Sequence, residues 1–441
     1  MSNIKDSISA VFIYENEIFI IERQNYLKAF PGYSAFPGGK IDSDDSSHEV
    51  KDVFKKYNYE TSHINALERE ISEELNINLY ELYIQKKVDK IHLLGEAISP
   101  AFNPYRFSNY YYAIHLNEKI NIIADEDEAK KSYWITPQKL HEKYLKGEIL
   151  AVPPMIYIMS HLGEDPKRLD YLDLNFTYDV DQTVPMIENI SGIKQFMPLS
   201  NTLPPANRTN CFHVGDILVD PSPKNLEELD KLYNSIDGLD IKQVFITHHH
   251  PDHYQYSVEL SQKLNVSIGI SRDTYKRICK KEGDDYFGNT VIQFFKEGDV
   301  LTYWKEKPVY IYEVPGHDEG QLAFAPKSME WFVVGDLIQG MGTVVISEPE
   351  GDMFKYFNSL KKVIKLNPKI ILPSHGIPMG GVFRLEKTLE HRQKREDQIK
   401  ELQSKGLTVE EMLPIIYKGT PQKLWSLAKE NIKAHLKKIN M

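Results

Sequence analysis

The segment Thr247 to His253, which reads THHHPDH, constrains this chain more than any other feature of the sequence. The run before it, VFIT, is apolar and β-branched, so the pattern predicts a buried strand that ends where the histidines begin. Imidazole nitrogens and carboxylates are typical ligands of zinc-like ions. Alternate residues such as His248 and His250 can converge on one ion. Asp252 and His253, beyond the bend at the intervening proline, can turn to a second ion.

Further candidate ligands follow other apolar runs in the same way. They are His317, Asp336 and His375, after the runs 309–314, 331–334 and 370–372. Open α/β sheets place their functional groups just beyond the ends of strands. A single histidine after a strand is usually structural, but four such elements in one stretch of chain favour a common metal site.

This pattern resembles the metallo-β-lactamase fold of hydrolases, over about residues 193–395. The resemblance implies a dinuclear zinc hydrolase with two Zn²⁺ ions. It assigns one ion to His248, His250 and His317 and the other to Asp252, His253 and His375, with Asp336 bridging them. Asp252 and Asp336 are therefore the expected catalytic residues. Asp220, after the run 216–219, matches the acidic residue that supports the site, and His249 receives no ligand role.

The composition of the chain limits the classes of protein to consider. With 441 residues, two or three domains are expected. The formal net charge of −10 argues against a globally basic nucleic-acid binder, although a local basic patch stays open. Two cysteines, Cys211 and Cys279, provide no disulfide framework. The start lacks the plan of a signal peptide and no apolar run approaches the roughly 18 residues of a membrane span, so we expect a cytoplasmic protein without membrane contact.

A second acidic motif lies near the N-terminus. Glu70, Glu73 and Glu74 occupy positions i, i+3 and i+4, so on a helix they share one face. Carboxylates of this kind suit Mg²⁺ or Mn²⁺ and could hold an ion that bridges the phosphates of a diphosphate. The alternative is a solvated acidic helix face. Glycines at positions 38 and 39 and the pair Arg69-Glu70 favour the metal site.

Together these residues resemble the Nudix box. Residues 40–68 exceed the spacing of the family pattern, so an insertion over 42–62 is implied. Asp45 replaces the early glutamate, and Asn76 replaces the late glycine, which is a mild change because asparagine tolerates the left-handed conformation after a helix. The resemblance implies a nucleoside-diphosphate or coenzyme A compound as substrate, with Arg69 as a substrate contact. A Nudix-like domain that senses a ligand without catalysis is the competing interpretation.

The C-terminal tail is helical in pattern. Thr408 to Glu411 forms a capping box, and apolar residues such as Ile432 recur at helical spacing beyond it. Lys433, Lys437 and Lys438 lie on the polar faces and are candidates for contacts with an anionic chain. The alternative is an ordinary helical cap over the core.

The stretch HR-x-x-RE at 391–396, the ending AHLKKI and the GDM at 351–353 resemble the β-lactamase-like protein 2 family. That resemblance implies a short winged-helix-like tail and single-strand-specific endoribonuclease activity, and the family also lies close to glyoxalase II.

The sequence therefore predicts a chain of mixed α/β and α+β class with three domains. We expect a Nudix fold at 1–165, an αββα metallo-β-lactamase sandwich at 166–390, and a winged-helix-like helical domain at 391–441. The expected activity is zinc-dependent cleavage of phosphodiesters in single-stranded RNA, with a Nudix domain that hydrolyses a nucleotide or coenzyme A compound. The alternative is hydrolysis of a small thioester or ester, with a non-catalytic Nudix domain.

Overall fold

A computed structural model describes residues 4–441 of the chain. It divides into two compact units. The N-terminal unit comprises the residues through Thr177 together with Glu188–Ser191, and the C-terminal unit comprises Tyr178–Ile187 and Gly192–Met441. Within residues 4–441, every helix is too short or too polar to cross a membrane.

The N-terminal unit contains one sheet with helices on both of its faces. Its strands are β1 (Lys5–Tyr14), β2 (Glu17–Arg23), β3 (Ser34–Ala35), β4 (Val88–Ile98), β5 (Phe107–Leu116), β6 (Ala129–Ile135) and β7 (Leu172–Asp173). Its helices are α1 (Asp52–Lys55), α2 (Thr61–Leu75), α3 (Leu79–Ile84), α4 (Pro137–Leu145) and α5 (Pro153–Glu164). The strand order is β3-β2-β1-β5-β4-β7, and β6 pairs with β2.

Strand β1 supplies both cores of this unit because alternate side chains point to opposite faces of a sheet. Ile8 and Phe12 belong to the apolar cluster that includes Leu67 of α2. Val11 belongs to a second cluster, which includes Ile158 of α5. The parallel pairing of β1 with β5 continues this division across the centre of the sheet. Helix α2, which carries the acidic motif, is therefore held against one face of the sheet by its own apolar side.

The segment before α2 is not an unstructured loop. It contains a 3₁₀ turn at Ser43–Ser46 and the short helix α1. Helix α2 ends at Asn76, whose φ of 52° is left-handed, as the sequence predicts. The expected insertion is thus partly folded, and it leaves the end of the acidic helix intact.

The C-terminal unit contains two sheets, and β8 (Met186–Ile190) lies where the sequence passes between the units. The first sheet has β9 (Ile193–Phe196), β10 (Cys211–Val214), β11 (Ile217–Val219), β12 (Gln243–Phe245), β13 (Ser267–Ile270) and β14 (Ile292–Phe294). The second has β15 (Val300–Trp304), β16 (Lys307–Glu313), β17 (Leu322–Pro326), β18 (Phe332–Gly335), β19 (Ile370–Pro373) and β20 (Met379–Gly380). The strand orders are β14-β13-β12-β11-β10-β9 and β15-β16-β17-β18-β19-β20.

Helices cover the outer faces of the two sheets. They are α6 (Leu226–Ser235), α7 (Pro251–Tyr254), α8 (Ser257–Leu264), α9 (Arg272–Glu282) and α10 (Met353–Leu366). Phe245 of β12 and Phe324 of β17 meet edge to face between the sheets, with ring centroids 5.8 Å apart. Leu218 packs with α6 on one outer side, and Val334 packs with α10 on the other. This layering is the expected αββα sandwich.

The tail consists of α11 (Phe383–Ser404), α12 (Val409–Ile416) and α13 (Trp425–Ile439), with a 3₁₀ turn at Gln422–Leu424 before α13. Apolar side chains of the three helices form one small core, in which Ile399, Met412 and Ile432 are buried. The capping box predicted at Thr408 and Glu411 is present. Ala434 of α13 packs into the core under the second sheet, so the tail is joined to the sandwich.

Candidate metal centre

The seven ligands expected in the C-terminal unit lie together beyond the ends of four strands. Their ligand atoms form overlapping groups within 4.8 Å of one another: His248, His250 and His317; His248, His253 and Asp336; and Asp252, His253 and His375. The strands that carry them are β12, β16, β18 and β19, as the apolar runs predict. The overlap of the groups makes one continuous cluster with two ends.

The local fold explains why the first four ligands point to two ends. His250 is extended at the N-cap of α7, and the proline after it occupies the first turn. The short helix then reverses the chain, so that Asp252 and His253 leave the direction set by β12. His253 is fully buried, and it lies against His248 with ring centroids 3.9 Å apart.

Hydrogen bonds fix the ring orientation of three histidines. The Nδ1 of His253 lies 2.8 Å from Asp220 Oδ2, that of His317 lies 2.9 Å from the Val345 carbonyl, and that of His375 lies 2.9 Å from the Arg208 carbonyl. A carbonyl or carboxylate oxygen can only accept, so each Nδ1 carries the proton. In the neutral ring, Nε2 is then the nitrogen that carries the lone pair, and it is directed into the cluster, which is the form that binds metal.

His248 reaches the same state through a longer chain of contacts. Asp220 accepts from the Thr247 backbone N–H at 2.8 Å and from the Thr247 hydroxyl at 2.7 Å. Because that hydroxyl already donates its hydrogen to Asp220, it accepts from His248 Nδ1 at 3.0 Å. One buried carboxylate, that of Asp220, therefore organises both His248 and His253. This is the supporting position expected for it.

His250 presents the opposite nitrogen to the cluster. Its Nδ1 lies 3.0 Å from His248 Nε2 and 2.9 Å from His317 Nε2, while its Nε2 lies 3.3 Å from Glu350 Oε2. Because His248 and His317 both direct lone pairs here, three imidazole nitrogens converge on one point. A divalent cation satisfies such a convergence, since neutral imidazoles are its usual ligands.

The other end of the cluster contains buried polar atoms without hydrogen-bond partners. These are His253 Nε2, His375 Nε2 and Asp336 Oδ1. Asp336 Oδ1 lies 3.5 Å from His375 Nε2 and 3.8 Å from His253 Nε2, and its Oδ2 lies 3.8 Å from His317 Nε2. Buried polar atoms are normally paired, and this set has the ligand chemistry that suits a divalent cation. Asp336 faces both ends of the cluster, as a bridging ligand does.

The electrostatics differ between the two ends. Burial and the neighbouring histidines hold the pKa of His248 well below its usual range, and burial with nearby His250 lowers the pKa of His317 to about 4. Burial also disfavours charge on His253, but Asp252, Asp220 and Asp336 outweigh it and raise its pKa to about 10. His248 and His317 at one end are therefore neutral, and the other end concentrates negative charge that attracts a cation.

Three polar residues near the cluster were not expected from the sequence. His249 contacts Asp318, and its Nε2 lies 3.1 Å from Glu350 Oε1. Glu350 thus touches both His249 and His250. The sequence assigns His249 no ligand role, whereas the structure places its ligand atom within 4.8 Å of those of His250 and Asp318. Asp318 had one signal, its place directly after His317, whereas Glu350 lies in a segment without periodicity.

The acidic motif of the N-terminal unit is brought against the glycine loop. Glu74 Oε2 accepts from the Gly38 backbone N–H at 2.8 Å. A side chain at Gly39 would clash with the Glu70 carboxylate, so a larger residue would displace that carboxylate from its place beside the loop. Burial raises the pKa of Glu70, and burial with nearby Glu70 raises the pKa of Glu74 to about 7, although Gly38 opposes the shift. The expected helix face and loop are therefore adjacent.

Arg69, the expected substrate contact, is engaged within the protein. Its Nε and one terminal nitrogen bind Asp45 at 3.1 and 2.9 Å, and the same terminal nitrogen donates to the Lys40 carbonyl at 2.7 Å. The other terminal nitrogen binds Glu70 at 2.7 Å and Glu73 at 3.0 Å. These five bonds use every N–H of a guanidinium. Arg69 holds the box together here, and the insertion provides Asp45 for it.

The three tail lysines are also paired with acids. Lys433 lies 2.8 Å from Glu430, Lys438 lies 2.6 Å from the buried Glu396, and Lys437 contacts Glu348. The side chain of Lys438 is only 16% exposed, in contrast to the exposed position expected for it. Helical spacing places a lysine on a face, but it does not show which acid covers that face.

Comparison with known proteins agrees with this architecture. Family models match residues 4–152 as a NUDIX domain, residues 206–375 as the metallo-β-lactamase superfamily, and residues 408–440 as the β-lactamase associated winged helix domain. The fold class expected from the sequence is confirmed. Fold and site together define a hydrolase of the metallo-β-lactamase superfamily with an N-terminal Nudix domain.

Individual relatives show to which family of this superfamily the chain belongs. The chain is 32% identical over 251 residues to the β-lactamase-like protein 2 homolog of Drosophila melanogaster, which covers 52% of this chain and 82% of that protein. The chain belongs to the β-lactamase-like protein 2 family, with a Nudix domain in addition. It is also 28% identical to a hydroxyacylglutathione hydrolase of Bdellovibrio bacteriovorus, over 30% of this chain and 48% of that protein. A β-lactamase domain protein from Burkholderia ambifaria shares the fold, with a TM-score of 0.50, 19% identity, and coverage of 59% of this chain and 88% of that one.

Proposed function

We propose that the C-terminal unit is a hydrolase that works with two divalent metal ions, in the first place zinc. His248, His250 and His317 would hold one ion, and Asp252, His253 and His375 would hold the other, with Asp336 between them. The observation that carries this proposal is the set of buried, unpartnered atoms at Asp336, His253 and His375. Bound ions of this kind supply Lewis acidity and a water molecule of lowered pKa near neutral pH.

The protein side chains prepare this chemistry. Asp220 and the backbone carbonyls of Arg208 and Val345 accept the Nδ1–H groups of the histidines, so the Nε2 atoms are directed inward. Burial raises the pKa of Asp336, but His375 and His253 outweigh it and hold the pKa below its usual range, so the residue stays a carboxylate. The Asp252 side chain is 15% exposed, which leaves it at the side from which a substrate can approach.

Metal analysis of the purified chain tests the proposal. After zinc loading and removal of excess metal, we expect two ions per chain by atomic emission. His317→Ala and Asp252→Ala should each remove one, and the exposed substitution Asp237→Ala serves as a matched control. Fewer than one ion per wild-type chain would contradict the two-ion site.

For the substrate, we propose a phosphodiester in single-stranded RNA as the first candidate. The match of residues 408–440 to a β-lactamase associated winged helix domain supports it, because this is the part of the chain that would hold a nucleic acid beside the metals. The acidic partners of the tail lysines weigh against strong phosphate binding.

The second candidate is a small thioester or ester. It is supported by the similarity to a relative that is named hydroxyacylglutathione hydrolase, and by the formal net charge of −10. A panel of labelled single-stranded RNA, an acylglutathione and a nucleoside diphosphate, each with zinc, separates the two. RNA cleavage should fall steeply with salt, whereas thioester hydrolysis should depend on salt only weakly.

For the N-terminal unit we propose a Mg²⁺- or Mn²⁺-dependent diphosphatase that acts on a nucleotide or coenzyme A compound. The contact of Gly38 with Glu74 and the close approach of Gly39 to Glu70 support an assembled box. A box that binds ligand without turnover is the alternative, and release of a monophosphate from the panel compounds distinguishes them. We further propose domain limits at 165 and 390. The two free, buried cysteines support a cytoplasmic location.

A further inference from the structure

One loop segment contacts two of the three histidines at the neutral end of the cluster. Residues Val344 to Glu350 belong to the connection between β18 and α10. The Val345 carbonyl accepts the Nδ1 proton of His317 at 2.9 Å, and Glu350 Oε2 lies 3.3 Å from His250 Nε2. This segment therefore contacts the ring nitrogen that points away from the cluster in each ligand, Nδ1 of His317 and Nε2 of His250. Its position decides where their inward nitrogens point.

The C-terminal tail holds this segment from behind. Asn431 of α13 accepts from the Ile346 backbone N–H at 3.0 Å, and Arg392 of α11 donates to the Val344 carbonyl. Arg392 also donates to Asn431 at 3.1 Å, which locks the two tail residues together. Both are almost fully buried. The tail is thus hydrogen-bonded to the backbone on either side of Val345.

Packing alone does not explain these bonds. The tail already has an apolar core of its own, and Ala434 packs beside Val344 and Ile346 under the sheet. An apolar contact fills volume, but it does not fix the direction of a carbonyl. A buried guanidinium is costly unless its donors are used, and Arg392 uses two of them to fix the segment that orients His317.

The charged end of the cluster has different supports. His253 is oriented by Asp220, and His375 is oriented by the Arg208 carbonyl. Neither support lies in the tail or in the segment 344–350. A loosened tail should therefore disturb one end of the cluster and leave the other in place.

We propose that the tail is a positioning element of the metal centre: Arg392 and Asn431 hold residues 344–346 so that the Val345 carbonyl orients His317. This rests on the proposed metal role of His248, His250 and His317. Glu350 extends the same support to His250, and Lys437 adds an ion pair to Glu348 of the segment. The tail then tunes the affinity of one metal position and not of the other.

The test compares Asn431→Ala with Asn431→Asp in the full chain. Aspartate keeps the oxygen that accepts from Ile346, so it serves as the conservative rescue. Lys433→Gln, on an exposed face of the same helix, serves as the control. Stepwise zinc affinities are measured by chelator competition on the metal-free protein. Cobalt(II) absorption spectra report the geometry of each position, and His317→Ala and His375→Ala assign the two steps.

We expect Asn431→Ala to weaken the step assigned to His317 about tenfold or more and to shift its cobalt bands. The zinc affinity of the other step in Asn431→Ala should stay near the wild-type value. Both affinities should stay near wild type in Asn431→Asp and in Lys433→Gln. Equal weakening of both steps, or no change in either, would overturn the positioning role. If Asn431→Ala does not fold, Arg392→Lys should reproduce the selective loss, and its failure to do so would also overturn the inference. A wild-type chain without tight zinc binding would instead contradict the proposed function.

Discussion

Asp220 Oδ2 lies 2.8 Å from His253 Nδ1, and both side chains are completely enclosed. The same carboxylate accepts two bonds from Thr247, the residue that precedes His248. Asp220 itself sits at a left-handed φ of 47° directly after β11. One side chain thus connects the ends of two neighbouring strands, and it sets the protonated nitrogen of two candidate ligands.

We expect Asp220→Asn to weaken zinc binding at the charged end of the cluster by about 10- to 100-fold. The amide can still accept from Thr247, but its N–H₂ then faces His253, which must shift its proton or lose its partner. Chelator competition measures the change. Asp216→Asn, in the turn that leads into the same strand, is the matched control because its carboxylate binds Thr302 and Lys242 instead. Equal affinities in the two variants would contradict the supporting role.

We expect Asp252→Ala to reduce hydrolysis by more than about 100-fold while thermal unfolding of the metal-free protein changes little. Its carboxylate lies 3.5 Å from His375 Nε2 and 3.9 Å from His253 Nε2, whereas the Ser222 hydroxyl binds its backbone carbonyl. The substitution therefore removes a metal ligand and leaves the bond that supports the fold. The readout is turnover in metal-replete samples, beside Asp273→Ala on α9. Turnover at the wild-type rate would refute the role of Asp252.

The raised pKa of Glu74 predicts a pH effect on stability. Burial raises this pKa from its ordinary value of 4.5 to about 7, so the folded protein binds the proton more tightly than the unfolded chain. The associated stability is fully present below about pH 4.5 and is lost as the pH rises through about 7. The loss amounts to at most about 3 kcal/mol. Thermal unfolding from pH 4.5 to 8 should show this decline, and Glu74→Gln should flatten it.

The exposed substitution Glu81→Gln is the control for this series. In addition, Mg²⁺ at pH 8 should restore part of the lost stability in the wild type, because a bound cation compensates the buried carboxylates. A Glu74→Gln protein that responds to Mg²⁺ as the wild type does would contradict a metal site at this helix. Any diphosphatase activity should vanish in Glu73→Gln and leave hydrolysis by the C-terminal unit unchanged.

Removal of the tail lysines tests the RNA hypothesis. If the substrate is single-stranded RNA, Lys433→Gln combined with Lys437→Gln should weaken binding and flatten its salt dependence, with little effect on cleavage at saturating RNA. Lys438→Gln is analysed separately, since its partner Glu396 is buried and the change should also lower the unfolding temperature. Unchanged RNA affinity of the double variant at low salt would favour the tail as a structural cap.

Much of the site was predictable because its ligands obey a local rule. Each of His248, His317, Asp336 and His375 follows a short apolar run, and a buried strand must end before polar ligands can emerge. The acidic helix and its left-handed end at Asn76 follow equally local preferences. These features depend on spacing within about ten residues, and spacing is what a sequence displays.

Apart from Asp220, which the sequence predicts, the supports of the site were decided by tertiary structure alone. His250 meets Glu350 across 100 positions of sequence, and His375 meets the Arg208 carbonyl across 167. Backbone carbonyls are present at every residue, so no pattern marks the one that orients a ligand. The sequence by itself thus determined which residues gather at the metal centre. Only the tertiary structure decided which nitrogen each histidine presents, because Asp220, the Arg208 carbonyl and the segment 344–350 reach these rings from distant parts of the chain.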